Sequence, residues 1–162
     1  MGGLVAVLNA GSSSVKFSVF AGRAAALELA LRGQVEAIHT APRFTAKDAK
    51  GASRGERAWS EAIGHPGALD HIVQFVRGEF PGESLLAVGH RVVHGGLDYS
   101  EPVRVDAGVL ATLEKFVPLA PLHQPHNLAP IRLLLERNPA LPQVACFDTA
   151  FHRAQPELAQ MF

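Results

Sequence analysis

The sequence predicts an α/β fold, and three observations carry that reading. Apolar strand-like runs crowd the first forty residues, strand and helix patterns alternate afterwards, and polar clusters interrupt the chain where the strand runs end. In open α/β sheets, loops at the carboxyl ends of strands are where ligands bind, so the recurrence of such clusters bears on function as well as fold.

The elements follow in order. Residues 4–8 form a short apolar run ending in turn residues, which reads as a buried strand. Asn9-Ala10-Gly11-Ser12-Ser13-Ser14 is the turn, and Val15-Lys16-Phe17-Ser18-Val19-Phe20 alternates in strand fashion, completing a hairpin with a wide polar tip. A third strand is expected over 27–31 and a fourth over 34–38. Residues 40–57, with weak periodicity, read as a surface excursion. Leu69, Ile72, Val73 and Val76 keep helical spacing, giving a helix over 67–79 that Pro81-Gly82 stops. Residues 85–88 open another buried strand, which feeds Gly89-His90-Arg91-Val92-Val93-His94-Gly95-Gly96. Leu110, Leu113, Phe116 and Val117 mark a second helix, followed by a proline-rich loop over 118–125. Leu128, Ile131, Leu134 and Leu135 mark a third helix ending at Asn138-Pro139, and residues 143–147 form a strand that delivers Asp148 to its C-terminal end.

With 162 residues, a single domain is the natural expectation. Hydrophobic residues make up 48% and charged residues 19%, which suffices for a sizeable core and leaves apolar surface for another domain or subunit to cover. Fifteen basic residues balance fifteen acidic ones, so no global charge draws nucleic acid or an acidic membrane, and anion binding must come from local geometry. Cys146 is the only cysteine; an internal disulfide is impossible and a reducing compartment fits. The N-terminal apolar run has no basic leader and is too short to span a bilayer, so a cytoplasmic location is expected.

Four polar clusters carry the chemistry: 9–16, 90–96, 123–127 and 148–152. In the first, Gly11 permits a tight turn, and amides and hydroxyls of Ser12, Ser13 and Ser14 suit a phosphate, with Lys16 as a point charge; an ordinary polar turn explains the same residues. It is no Walker loop, because the glycine–lysine–serine order is missing and a strand follows. Arg91, at a strand end with Gly95-Gly96 nearby, suits a carboxylate or phosphate gripped in a fork, or else a structural carboxylate. His90 and His94 read as hydrogen-bonded structural histidines, and His123 and His126 as braces of the proline-rich loop. Asp148 either serves Mg²⁺ or a nucleophile, or caps the segment after it.

Together the clusters resemble a family. Leu8-Asn9-Ala10-Gly11-Ser12-Ser13-Ser14-Val15-Lys16-Phe17 is similar to the first signature of acetate and propionate kinases. Gly89-His90-Arg91-Val92-Val93-His94-Gly95-Gly96, Ala120-Pro121-Leu122-His123-Gln124-Pro125 and Phe147-Asp148-Thr149-Ala150-Phe151-His152 resemble three more, in the right order. The resemblance implies a ribonuclease H-like domain of the sugar kinase, heat-shock chaperone and actin superfamily, a mixed twisted sheet flanked by helices. It implies Mg²⁺-dependent phosphoryl transfer between ATP and acetate or acetyl phosphate, with propionate or butyrate as alternative acids. Matched residue by residue, Asn9 contacts Mg²⁺, and Lys16, Ser12 and Ser14 serve the ATP phosphates. Arg91 binds the acetate end, Val93 and Leu122 line the pocket for the substrate methyl, His123 lies beside the transferring phosphoryl group, and Asp148 is the catalytic carboxylate. Ala10 stands where many members carry cysteine, and Gln124 where asparagine is common.

The resemblance also implies that residues 1–162 are an N-terminal domain. The nucleotide-binding second domain, with most of the homodimer interface, is expected to lie beyond it. On that expectation the isolated chain is a substrate-binding fragment with little kinase activity.

Overall fold

The computed structural model describes residues 2–23 and 25–149. Eight strands form one mixed sheet in the order β5-β4-β3-β2-β1-β6-β8-β7. The strands are β1 (Gly3–Ala10), β2 (Val15–Arg23), β3 (Ala26–Glu36), β4 (Arg43–Asp48), β5 (Ser53–Ala58), β6 (Leu85–Val92), β7 (Val103–Arg104) and β8 (Gln143–Phe147). The helices are α1 (Gly64–Glu79), α2 (Ala107–Glu114) and α3 (Gln124–Arg137). β1 to β5 are an antiparallel meander, whereas β1, β6 and β8 run parallel. Their carboxyl ends therefore share one edge.

Alternation along the strands explains where the core sits. Leu4, Leu8 and Ala10 of β1, Val15, Phe17 and Val19 of β2, and Val88 of β6 are buried in one cluster with Ala68, Leu69 and Ile72 of α1 and Leu134 of α3. A second cluster joins Val92, Ala145 and Phe147 to Leu113 of α2 and to Leu128 and Ile131 of α3. The helices thus cover the face to which these buried positions point. On the other face Val7 is 39% exposed, and Lys16, Arg91 and Cys146 are exposed.

Four expectations about elements are corrected. The third and fourth strands are one continuous strand, β3, because Gly33 is a point of close approach rather than a turn. A Cβ there would lie 2.3 Å from the Thr45 carbonyl oxygen and 2.8 Å from the Phe17 ring. Gly33→Ala is accordingly expected to cost about 2 kcal/mol or more, read from urea unfolding, since backbone must move to admit the methyl; an unchanged midpoint would contradict this packing.

Residues 40–57 are not a surface excursion but chiefly the β4–β5 hairpin. Phe44 and Ala46 alternate into the core, and Asp48 Oδ1 accepts from the amides of Lys50 and Ala52 to close the turn. The proline-rich loop ends sooner than expected, since Gln124 and Pro125 already begin α3. The second helix stops at Glu114, and Val117 lies in a 3₁₀ turn spanning Val117–Leu119. Strand β6 continues through Arg91 to Val92.

Candidate functional site

The parallel register places the sequence-derived residues side by side. Leu8 of β1 pairs with His90 of β6, and Arg91 of β6 pairs with Cys146 of β8, so Asn9, Arg91 and Asp148 emerge at neighbouring strand ends. Lys16 lies directly opposite Asn9 on β2, which puts both side chains on the same face. Arg91 grips Asp148 in a fork: Nη2 donates to Oδ2 at 2.6 Å, and Nε donates to Oδ1 at 3.0 Å and to Oδ2 at 3.1 Å. Its Nη1 reaches Asn9 Oδ1 at 3.5 Å. The hydrogen bonds to Asp148, with its charge, hold the Arg91 guanidinium still more firmly in its charged form. The fork is open to solvent, with side-chain exposures of 52% for Arg91 and 38% for Asp148.

Two buried amides in the 123–127 cluster, to which the sequence assigned no role, support this edge. Asn127 of α3 donates from Nδ2 to the Ala10 carbonyl at 2.7 Å and accepts the Val93 amide at 2.9 Å. Gln124 is fully buried; it accepts the His94 amide at 3.2 Å and donates to the His94 and Leu113 carbonyls at 2.9 and 3.3 Å. α3 therefore clamps both the hairpin tip and the segment after β6. The signal available was the polarity of Gln124 and Asn127 within a helix whose other inward positions are apolar.

The remaining expected residues divide. Ser12 and Lys16 are exposed and Ser14 half-buried at the hairpin tip. Val93 is half-buried, Leu122 is 74% exposed, and His123 is exposed at the entry to α3. An open cavity of about 630 Å³, lined by His94, Gly96, Leu97, Asp98, Phe116, Leu119 and Thr149, adjoins the Asp148 end of the edge; neither Val93 nor Leu122 lines it. Thr149 itself accepts the Gly95 amide at 3.2 Å. Phe151 and His152 lie outside the described residues.

His90 is structural, as its position suggested. It is 2% exposed, and its Nε2–H donates to Gln143 Oε1 at 2.7 Å. Burial pushes its pKa down to about 4, only partly offset by that bond. His71 and His126 are also pushed down, chiefly by burial. Folded values below the ordinary one mean that the unfolded chain binds more protons, so stability is full above pH 6.5 and falls as the pH drops towards 4. His90 alone is expected to contribute about 3 kcal/mol of that loss. Urea midpoints near pH 7.5 and 5 check it: His90→Gln is expected to flatten the dependence, and an unchanged slope would contradict the assignment.

The fold and this edge define an α/β domain whose strand ends gather an arginine, a carboxylate, an amide and a lysine beside a serine-rich turn. The chain belongs to the acetokinase family, whose profile matches residues 4–162. It is 50% identical to an acetate kinase of Nitrobacter hamburgensis over 98% of this chain and 40% of that protein. It is 42% identical to one of Rhodopseudomonas palustris over all of this chain and 41% of the other. Among solved structures, a propionate kinase from Francisella tularensis matches at a TM-score of 0.81 and 32% identity, over 96% of this chain and 39% of that one. The acetate kinase of Porphyromonas gingivalis matches at 0.79 and 30%, over 96% of this chain and 40% of that one. The chain thus spans about 40% of the length of the relatives it matches.

Proposed function

We propose that the complete protein transfers the γ-phosphoryl group of ATP reversibly to acetate, giving acetyl phosphate and ADP, and that residues 1–162 are its N-terminal domain and supply one wall of the site. The observation that carries this is the meeting of Asn9, Arg91 and Asp148 at the ends of three adjacent parallel strands, with Lys16 opposite Asn9, in a chain of the acetokinase family. Arg91 binds the acetate or acetyl-phosphate oxygens through its exposed Nη1 edge, which among the described residues makes only the long contact to Asn9. Asp148 is the catalytic carboxylate, orienting Arg91 and the acid. Lys16, Ser12 and Ser14 hold ATP phosphates, His123 lies by the phosphoryl group, and Val93 and Leu122 border the methyl.

An acetate oxygen attacks the γ-phosphorus in line as the bond to the ADP oxygen breaks, and Arg91 neutralises charge on the oxygens in flight. The donor set suits Mg²⁺. Asn9 Oδ1 and the Asp148 carboxylate are hard oxygens at one edge. Asn9, beside Asp148, would hold the ion, which neutralises phosphate charge when bound.

The face opposite the helices, with its exposed Val7, Lys16 and Arg91, is where a second, nucleotide-binding domain would close the cleft, in a protein that works as a cytoplasmic homodimer. No described helix is long and apolar enough to cross a membrane.

Propionate is the second reading, favoured by the propionate kinase among the structural neighbours. Hydroxamate trapping of the acyl phosphate with acetate, propionate and butyrate tests both. The full-length protein is expected to prefer acetate, and the 162-residue chain to show no turnover. Activity on none of the three acids would end the proposal, and fragment turnover near about 10 s⁻¹ would contradict the missing-half account.

A further inference from the structure

We propose that His65 and His39 are positioning residues for ATP, setting the direction in which the amides of the hairpin tip point; this rests on the phosphate-binding role proposed for that tip. Four consecutive carbonyls of the tip each accept a bond from outside the hairpin. Asn127 Nδ2 donates to Ala10 at 2.7 Å, His65 Nε2 to Gly11 at 2.7 Å, His39 Nε2 to Ser12 at 2.9 Å, and the Ile38 amide to Ser13 at 3.1 Å. A carbonyl only accepts, so both imidazoles carry their proton on Nε2.

A peptide unit is planar, with its C=O and N–H pointing in opposite directions. Tying the Gly11 oxygen to His65 therefore turns the Ser12 N–H the other way, and tying the Ser12 oxygen to His39 does the same for Ser13. The Ser12 and Ser13 amides donate to no group among the described residues, and both residues are exposed. Consecutive free N–H groups of this kind form an anion-binding concavity. Gly11 is the residue with the freedom to let its peptide flip, which would aim a carbonyl oxygen at the phosphate instead.

The scaffold holding the two rings is itself anchored. Ala37 adopts a left-handed conformation, φ 52°, a costly one for a residue with a Cβ, and it turns the chain so that Ile38 and His39 reach the tip. Ile38 is fully buried, and its carbonyl accepts the amides of Ile63 and Gly64, immediately before His65. His65 stacks on His126 of α3 with ring centres 5.4 Å apart and meets His39 edge-on at 5.7 Å. Three separate segments thus converge on one turn.

The test measures MgATP affinity of the full-length protein by equilibrium dialysis, alongside KM for ATP and for acetate. His65→Leu removes the donor and is expected to weaken MgATP about tenfold, with KM for acetate changed less than about twofold. His65→Gln places an amide N–H where Nε2 was, and is expected to recover most of the affinity. Should His65→Leu fail to melt cooperatively, His39→Leu on the exposed connector gives the same readout. MgATP affinity within about twofold of wild type in the leucine variants would overturn the inference, as would equal loss for both substrates or equal harm from glutamine and leucine. Wild-type protein that binds MgATP but phosphorylates no acid would instead contradict the acetate reading, and dialysis would still decide the role of the histidines.

Discussion

Arg91→Ala in the full-length protein is expected to lower kcat/KM for acetate about 10³-fold, the scale seen when a preorganised charge donor is removed from a transition state. Arg91→Lys is expected to come within about tenfold of that loss. Lysine keeps the charge but has no planar fork: it cannot hold Asp148 through Nε and Nη2 while presenting Nη1 to a substrate oxygen near Asn9. The pair is half exposed, so its contribution to stability is small, and the urea midpoint of both variants is expected to stay near that of the wild type. Activity falling without stability separates a substrate-gripping arginine from one that merely pairs with a structural carboxylate. Lysine retaining most of the rate, or both variants unfolding early, would contradict the role.

The second large effect is Asp148→Asn, expected to lower kcat about 10³-fold. Asparagine is nearly isosteric and can still accept one N–H, so Arg91 stays close. What goes is the negative charge that two guanidinium nitrogens share in the fork. The bridging Nη2–Oδ2 bond of 2.6 Å is the shortest at this edge, typical of a charge-assisted pair. Burst and steady-state kinetics of acetyl phosphate formation check it. A variant with normal kcat and a raised KM would make Asp148 a brace for Arg91 and not a catalytic group.

How much of this was legible in sequence depends on which residues carried a periodic signal. β1, β2 and β8 were legible because Leu8, Val15, Phe17, Ala145 and their neighbours alternate into a core. β5 was not, since Ser53, Arg54, Glu56 and Arg57 are all exposed and only Gly55 lies close under Phe75; it is a charged edge strand with no inward apolar residue. β3 was split between 31 and 34, whereas the chain runs straight through Gly33, where the space beside the backbone is filled by Thr45 and Phe17 of neighbouring strands. The same contrast holds at the site. Asn9, Arg91 and Asp148 could be singled out because each ends an apolar strand run, and the parallel register of β1, β6 and β8 then brought them together. Gln124, Asn127, His39 and His65 act by tying distant backbone groups, and no local pattern announces partners 27, 30, 54 and 117 residues away.

The most direct measurement is a ¹⁵N–¹H NMR titration of the 162-residue chain with acetyl phosphate, following the Arg91 Nε–H, the Asn9 side-chain amide and the Ser12 and Ser13 backbone amides. The account predicts that millimolar acetyl phosphate moves the Arg91 and Asn9 signals, as a substrate oxyanion meets the guanidinium beside Asp148, and that ATP moves the serine amides. Acetyl phosphate leaving Arg91 and Asn9 unmoved while shifting residues elsewhere on the sheet would contradict it.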